Sequence, residues 1–289
     1  MTGLMKKLKY YANHTLFLTS LTIVFPAGVA IVFAAEGLPG VRTMVWIFVA
    51  LIATRLGGNS FNRIADRKID AANPRTENRD MVSGRIKLAE AWVLTVIFFG
   101  VLVFTAWNLN FLCFILSPVA IALAIGYSYT KRFTWLCHYI LGFIFGGAIV
   151  AVWIAIRGTV EFFPFWFGAG MMFWVAGRDL VLSTLDEDFD SGAGLHSIPA
   201  RFGVKTALAA ATLSKLAFLA ILASFPLFIP QLGVLYLVGI GVIFALQVVE
   251  FALINPQKRK RMLITSFAVN NVIIVVFFAV ALTDYFLYN

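Results

Sequence analysis

Nine times along the 289 residues an apolar run of roughly 20 residues gives way to a short polar link, and that rhythm constrains the fold before any motif is considered. The runs lie near 15–35, 43–61, 88–107, 111–129, 136–156, 164–186, 204–228, 232–253 and 263–287. Each is long enough to cross a bilayer as a helix, so the expected fold is all-α. It is a polytopic bundle of about nine transmembrane helices forming one domain over residues 1–289. With 61% hydrophobic and 13% charged residues, no separate soluble domain fits between the runs. The run from Leu16 to Ala35 is too long for the apolar region of a signal peptide, and Glu36-Gly-Leu-Pro lacks a small-residue cleavage site, so it counts as the first helix. The short Trp107–Asn110 link makes the third and fourth runs an antiparallel hairpin.

Charge sets orientation. The formal net charge is +9, but in a lipid-embedded chain the placement of Lys and Arg carries the information, and topology explains it better than binding to nucleic acid. Eighteen of the 23 Lys and Arg fall in alternate segments: the N-terminus, the Arg63–Lys87 loop, Lys131-Arg132, Arg201–Lys205 and Lys258–Arg261. Only Arg42 and Arg157 fall in the opposite set, while Arg55, Arg178 and Lys215 sit inside runs. The basic set is expected in the cytoplasm, with the N-terminus, and the C-terminus outside. Cys113 and Cys137 lack the spacing of a metal or redox pair and are expected to pack.

Nine of the 14 acidic residues crowd into two of the basic-side segments, which a random solvated face does not explain. In the first, Asn62, Asp66 and Asp70 recur every four residues and share a face if helical. Arg55 lies on the same stripe inside an apolar run, where a charge is costly and is normally functional. In the second, Asp179, Asp186 and Asp190 fall within about 20° of one line at 100° per residue, and Asp188 points away. Hard oxygen ligands of this kind suit magnesium holding a diphosphate. The metal and the surrounding Arg and Lys would offset charge on a departing diphosphate.

These residues resemble the UbiA superfamily of intramembrane prenyltransferases, whose two motifs are NxxxDxxxD and DxxxD. Asn62–Asp70 is similar to the first and Asp186–Asp190, with Gly194-Leu-His-Ser-Ile-Pro, to the second. Asn73-Pro-Arg-Thr-Glu-Asn-Arg79, Ser83-Gly-Arg and Tyr127-Ser-Tyr-Thr-Lys-Arg132-Phe-Thr resemble the intervening loops. Within the superfamily the chain looks like the 4-hydroxybenzoate polyprenyltransferase branch, and His14-Thr-Leu-Phe with the Gly-Leu-His-Ser-Ile-Pro-Ala-Arg-Phe-Gly tail resembles a menaquinone, futalosine-type sub-branch. Asp80 stands where proline is usual after Asn-Arg, and His196 where many ubiquinone-pathway members carry lysine. Both departures bear on the acceptor.

The resemblance implies that Asn62, Asp66, Asp186 and Asp190 hold magnesium and diphosphate with Asp70 in support, and that Arg55, Tyr127 and Lys131 contact diphosphate oxygens. It implies that Arg132 holds the carboxylate of an aromatic acid while Asp179 lies near its phenol. The implied partners are a polyprenyl diphosphate, an aromatic acid acceptor and the bilayer, in a bacterial-type inner membrane with the active site on its cytoplasmic side. Other acceptors remain open: dihydroxynaphthoate, homogentisate, a porphyrin or glyceryl phosphate. An anion transporter is the reading from another class, disfavoured because the charges gather at one membrane face. The DxxDGxxAR core of the CDP-alcohol phosphotransferases is absent.

Overall fold

The computed structural model describes residues 3–254 and 259–288, so Lys258 of the expected basic run lies outside the described residues. The helices are α1 Gly3–His14, α2 Phe17–Ser20, α3 Val24–Ala35, α4 Val41–Ala65, α5 Arg67–Ala72, α6 Leu88–Leu109, α7 Phe111–Thr130, α8 Cys137–Arg157, α9 Phe162–Ser183, α10 Glu187–Gly192, α11 Ile198–Ala223, α12 Val234–Leu253 and α13 Arg259–Leu287. No strand occurs among the described residues. Among the described residues, eight segments are long and apolar enough to cross a membrane, beginning with Phe17–Ala35. The ninth expected span exists as α9, which has 22 residues, but Arg178, Asp179 and its glycines and tryptophans dilute its hydropathy. Its apolar face is taken up by protein, since Phe167, Met171, Trp174, Val175, Leu180 and Val181 are all buried.

The chain forms two compact units. One comprises the residues up to Val24 with Gly40–Tyr129; the other comprises Phe25–Pro39 with the residues from Thr130 onward.

In the first unit α4 packs along α6. Gly57 permits the approach, because a Cβ there would stand 2.8 Å from the Phe99 ring. The amphipathic α1, not foreseen as an element, is tied to the start of α6: Lys7 Nζ reaches Glu90 at 2.9 Å and the Tyr11 hydroxyl donates to Glu90 at 3.1 Å. Two residues before the first acidic motif, Ser60 joins three helices. Its Oγ lies 3.0 Å from His14 Nε2, donates to the Ala91 carbonyl at 3.0 Å and accepts from Thr95 Oγ1 at 3.0 Å. Asn59 adds a bond to the Thr15 carbonyl at 2.8 Å. Hydrogen bonding compensates the burial of these hydroxyls, so the hub anchors α4 against α1 and α6.

In the second unit α8 and α9 touch backbone to backbone. A Cβ on Gly142 would stand 2.3 Å from the Met172 carbonyl oxygen, and one on Gly146 would stand 2.3 Å from that of Gly168. Small residues at such crossings let dispersion and weak polar contacts hold helices in lipid, where the hydrophobic effect between them is lost. On its other side α9 meets α11, where Gly177 faces Lys215 and Ala211. Lys215 pairs with Glu250 of α12, and Glu250 also accepts from Ser266 at 2.7 Å and Asn270 at 2.8 Å, both of α13. The Asp284 carboxylate accepts from the Gly233 and Tyr236 amides at 2.5 and 3.0 Å, satisfying the N-terminus of α12. Phe163, Phe167, Phe225 and Phe277 form the aromatic core, and α3 joins it through Phe33.

Candidate active site

The first acidic motif is built where α4 gives out. α4 ends at Ala65, Asp66 takes φ −90° and ψ 4°, and the six-residue α5 restarts at Arg67. The single helical face expected over 62–70 therefore bends at Asp66. Its hydrogen-bond spacing survives, since the Asp66 amide donates to the Asn62 carbonyl at 2.9 Å and the Asp70 amide to that of Asp66 at 2.8 Å. Asn62 Nδ2 donates to Asp66 Oδ2 at 3.3 Å, and Asp66 is 3% exposed. Arg55 is half-buried two turns earlier on α4, and Tyr127 is half-buried in the last turn of α7.

Asp70 is differently employed. Both its oxygens accept from Arg79 Nη1, at 2.7 and 2.6 Å. The loop that delivers Arg79 is closed by Thr76, whose hydroxyl donates to the Asp70 carbonyl at 3.0 Å, and by Asp80, which accepts from Arg85 Nε at 2.5 Å. The Asp80 departure thus serves loop folding. Arg63 Nε donates to the His14 carbonyl at 3.1 Å. Burial, then the Arg63 charge, pushes the His14 imidazole down to about 4, so it is neutral at pH 7.

The second motif repeats the device. α9 ends at Ser183, Asp186 takes φ −105° and ψ 3°, and the six-residue α10 follows. The Asp190 amide donates to the Asp186 carbonyl at 2.8 Å. Asp186 and Asp190 are half-buried while Asp188 is exposed. Burial, then the nearby Asp186 charge, raises the Asp190 carboxyl above the usual carboxylate range, against opposing contributions from Ser197, Lys131 and His138. The tail folds back through Gly194 at φ 66°, with the Leu195 amide bonded to the Asp190 carbonyl at 2.9 Å. The His196 amide then donates to the Lys131 carbonyl at 2.7 Å, tying the Lys131-Arg132 loop to the motif; Lys131 is half-buried and Arg132 exposed.

Asp179, two turns before Asp186, meets His138 of α8, with Nδ1 2.8 Å from Oδ2. Arg178 faces away over the Trp174 and Phe267 rings at 5.6 and 5.7 Å. His138 and Arg79 are the residues that the motifs alone did not reveal. The first lies 41 positions from its partner, and the second follows a loop whose closure depends on Asn73, Thr76 and Asp80.

No group of three or more His, Cys, Asp or Glu side chains close enough to enclose a cation occurs among the described residues. Each motif instead offers carboxylates at the mouth of a broken helix. Such hard oxygen donors fit a cation that completes its shell from phosphate and water.

The sequence model of the UbiA prenyltransferase family matches residues 23–272. The chain belongs to that family. As a UbiA member it is a prenyltransferase enzyme held in a membrane by its apolar helices. It is similar to the 4-hydroxybenzoate octaprenyltransferase of Shewanella pealeana, 30% identical over 272 residues, covering 92% of this chain and 91% of that protein. The Shewanella woodyi protein of the same name is 33% identical over 185 residues, and the chain spans 64% of its length. Among solved structures, the apo UbiA homolog from Aeropyrum pernix K1 superposes with a TM-score of 0.81 at 28% identity, covering 92% of this chain and 97% of that one. A UbiA homolog from Archaeoglobus fulgidus bound to DMAPP and Mg2+ shares the fold, with a TM-score of 0.67 at 18% identity, covering 95% and 98%.

Proposed function

We propose that this UbiA enzyme transfers a polyprenyl group from a polyprenyl diphosphate to a ring carbon of a small aromatic acid, 4-hydroxybenzoate, as a step in ubiquinone or menaquinone formation. The observation that carries the reading is the twice-built device at Asp66 and Asp186. In each motif a long helix ends and an aspartate, Asp66 or Asp186, directly precedes a six-residue restart, with the next aspartate amide returned to the first carbonyl at 2.8 Å. Two such carboxylate pairs suit the two ends of a metal-bound diphosphate. The relatives' names supply the acceptor, and the DMAPP and Mg2+ bound by the Archaeoglobus homolog support the donor and cofactor.

In this reading Asn62, Asp66, Asp186 and Asp190 hold magnesium. Asp70, whose oxygens are occupied by Arg79, supports from behind. Magnesium bound there supplies positive charge to the leaving diphosphate. Arg55, Tyr127 and Lys131 orient its oxygens, Arg132 binds the acceptor carboxylate and Asp179 its phenol. The apolar helix walls exclude water from the allylic cation formed when the C–O bond breaks. The family match runs through both compact units, which supports treating residues 1–289 as one catalytic domain. The Lys and Arg bias supports an N-terminus and active site on the cytoplasmic side of a bacterial inner membrane.

The test is transfer of a polyprenyl chain to labelled 4-hydroxybenzoate in detergent, with and without magnesium. Product that requires both the metal and Asp66 is the expected result. Product only with dihydroxynaphthoate, homogentisate, a porphyrin or glyceryl phosphate replaces the acceptor, and no product with any acceptor overturns the reading.

A further inference from the structure

We propose that His138 is a positioning residue for the transfer: it holds the Asp179 carboxylate as the base that takes the phenolic proton of the acceptor. The inference rests on the proposed reaction and adds to it a residue outside both motifs.

The geometry has three parts. First, His138 Nδ1 lies 2.8 Å from Asp179 Oδ2, and the two side chains are 5% and 31% exposed. The carboxylate is therefore the member that a substrate can reach, with the imidazole packed behind it. An ionised carboxylate only accepts, so Nδ1 carries the proton of this bond. Second, His138 Nε2 is buried without a hydrogen-bond partner. A buried ring nitrogen of this kind costs stability, while the other ring nitrogen is bonded to Asp179, an arrangement suited to orienting that group. Third, Asp179 lies in the last two turns of α9, on the helix that leads into the second motif. The pair therefore belongs to the second motif's surroundings.

The helix packing explains why the bond can form. His138, Gly142 and Gly146 are spaced four apart and share one stripe of α8. Gly142 and Gly146 meet the α9 backbone at Met172 and Gly168. Two close contacts in the antiparallel hairpin bring the third member of the stripe onto the end of α9 that carries Asp179.

The chemistry balances without any further reagent. Asp179 takes the phenolic proton, which raises electron density at the adjacent ring carbon. The donor C–O bond breaks with its electron pair on the diphosphate, and the ring carbon forms the new C–C bond. That carbon's hydrogen then leaves as a proton to the diphosphate, while Asp179 returns its proton to the oxygen and the ring is aromatic again. His138 touches neither substrate. It fixes the direction in which the carboxylate presents its oxygen.

The experiment compares the full-length protein with His138→Leu and His138→Asn in detergent, using 4-hydroxybenzoate and its 3-fluoro analogue, whose phenol is more acidic. His138→Leu is expected to lower kcat about 10- to 100-fold, up to the lower end of what a general base contributes because Asp179 itself remains, while the acceptor KM moves by less than about threefold. Asparagine keeps a donor at the Nδ1 position and restores kcat to within about fivefold of the parent. The His138→Leu deficit shrinks about tenfold with the fluorinated acceptor, because a more acidic phenol needs the base less. A packing role cannot produce that last result. An unchanged kcat in His138→Leu, an equal deficit with both acceptors, or an asparagine variant no better than leucine overturns the proposal while leaving the function reading intact. A parent protein that prenylates neither phenolic acid removes both.

Discussion

Gly142→Ala tests the link between helix packing and the second motif, with Gly147→Ala as its internal control on the same helix. A Cβ at position 142 meets the Met172 carbonyl oxygen at 2.3 Å, and one at position 147 meets nothing within 4 Å. Ordinary contact begins at 3.4 Å, so α8 and α9 must part by roughly 1 Å. Overpacking of that size costs about 1–3 kcal/mol, against a helix-propensity gain of about 1 kcal/mol that both variants share. Gly147→Ala should thus be neutral or slightly stabilised, and Gly142→Ala should melt as though about 1–3 kcal/mol less stable than that control. His138 lies one turn from Gly142, about 6 Å along the axis. The same parting therefore stretches its 2.8 Å bond to Asp179 beyond the hydrogen-bond limit. Losing a hydrogen bond to a charged group costs about 1.5–3 kcal/mol, or roughly 10- to 100-fold if the loss falls on the transition state. The assay is thermal unfolding in detergent alongside kcat for transfer. If Gly142→Ala matches Gly147→Ala in both, the close approach does not set the His138–Asp179 bond.

Two further outcomes follow from buried charge. Lys215→Met or Glu250→Leu alone strands a partner that is buried among α11, α12 and α13, and each should cost about 3–5 kcal/mol, while the double variant recovers most of that loss; additive losses in thermal unfolding would show that the pair is not coupled. His14 titrates near 4 when folded and near 6.5 when unfolded, so the unfolded chain binds more protons in between. Stability should fall as pH drops from about 6.5 to 4, by up to about 3 kcal/mol. His14→Gln should flatten that part of the melting-temperature profile, and an unchanged slope would assign it to other groups.

Much of the fold is legible because hydrocarbon dictates segment length: α6, α7, α8 and α12 fall within about two residues of the apolar runs. α9 is legible as a run, yet it is the span that dilutes its hydropathy to carry Arg178 and Asp179, and its burial against α8 and α11 compensates. The motif residues are legible from their four-residue spacing. The breaks before α5 and α10 are not: at Asp66 the chain bends while keeping its i to i−4 bond to Asn62, which has the spacing of a continuous helix, whereas Leu185 and Asp186 tighten to i to i−3 bonds with Leu182 and Ser183. Gly203, where φ 83° interrupts α11, lies just before the 204–228 run, in a link that the sequence does not mark as helical.

The contacts least visible in the sequence are those that join two helices through a third feature. His138 reads as one of three scattered histidines, and Asp179 as an outlying member of an acidic cluster. Neither residue type nor spacing pairs them. What pairs them is the glycine stripe on α8, since only residues without a Cβ at positions 142 and 146 let α9 approach closely enough for an imidazole and a carboxylate 41 residues apart to bond. The same reasoning separates the roles of the two motifs' outlying aspartates. Asp70 is bound by Arg79 from within its own loop, so replacing Arg79 should act locally on the first motif, whereas Asp179 is bound across a helix pair and answers to any substitution that moves α8 against α9. The sensitivity of prenyl transfer to remote glycines should accordingly be high along the His138–Gly146 stripe and low at Gly147, one residue off that stripe.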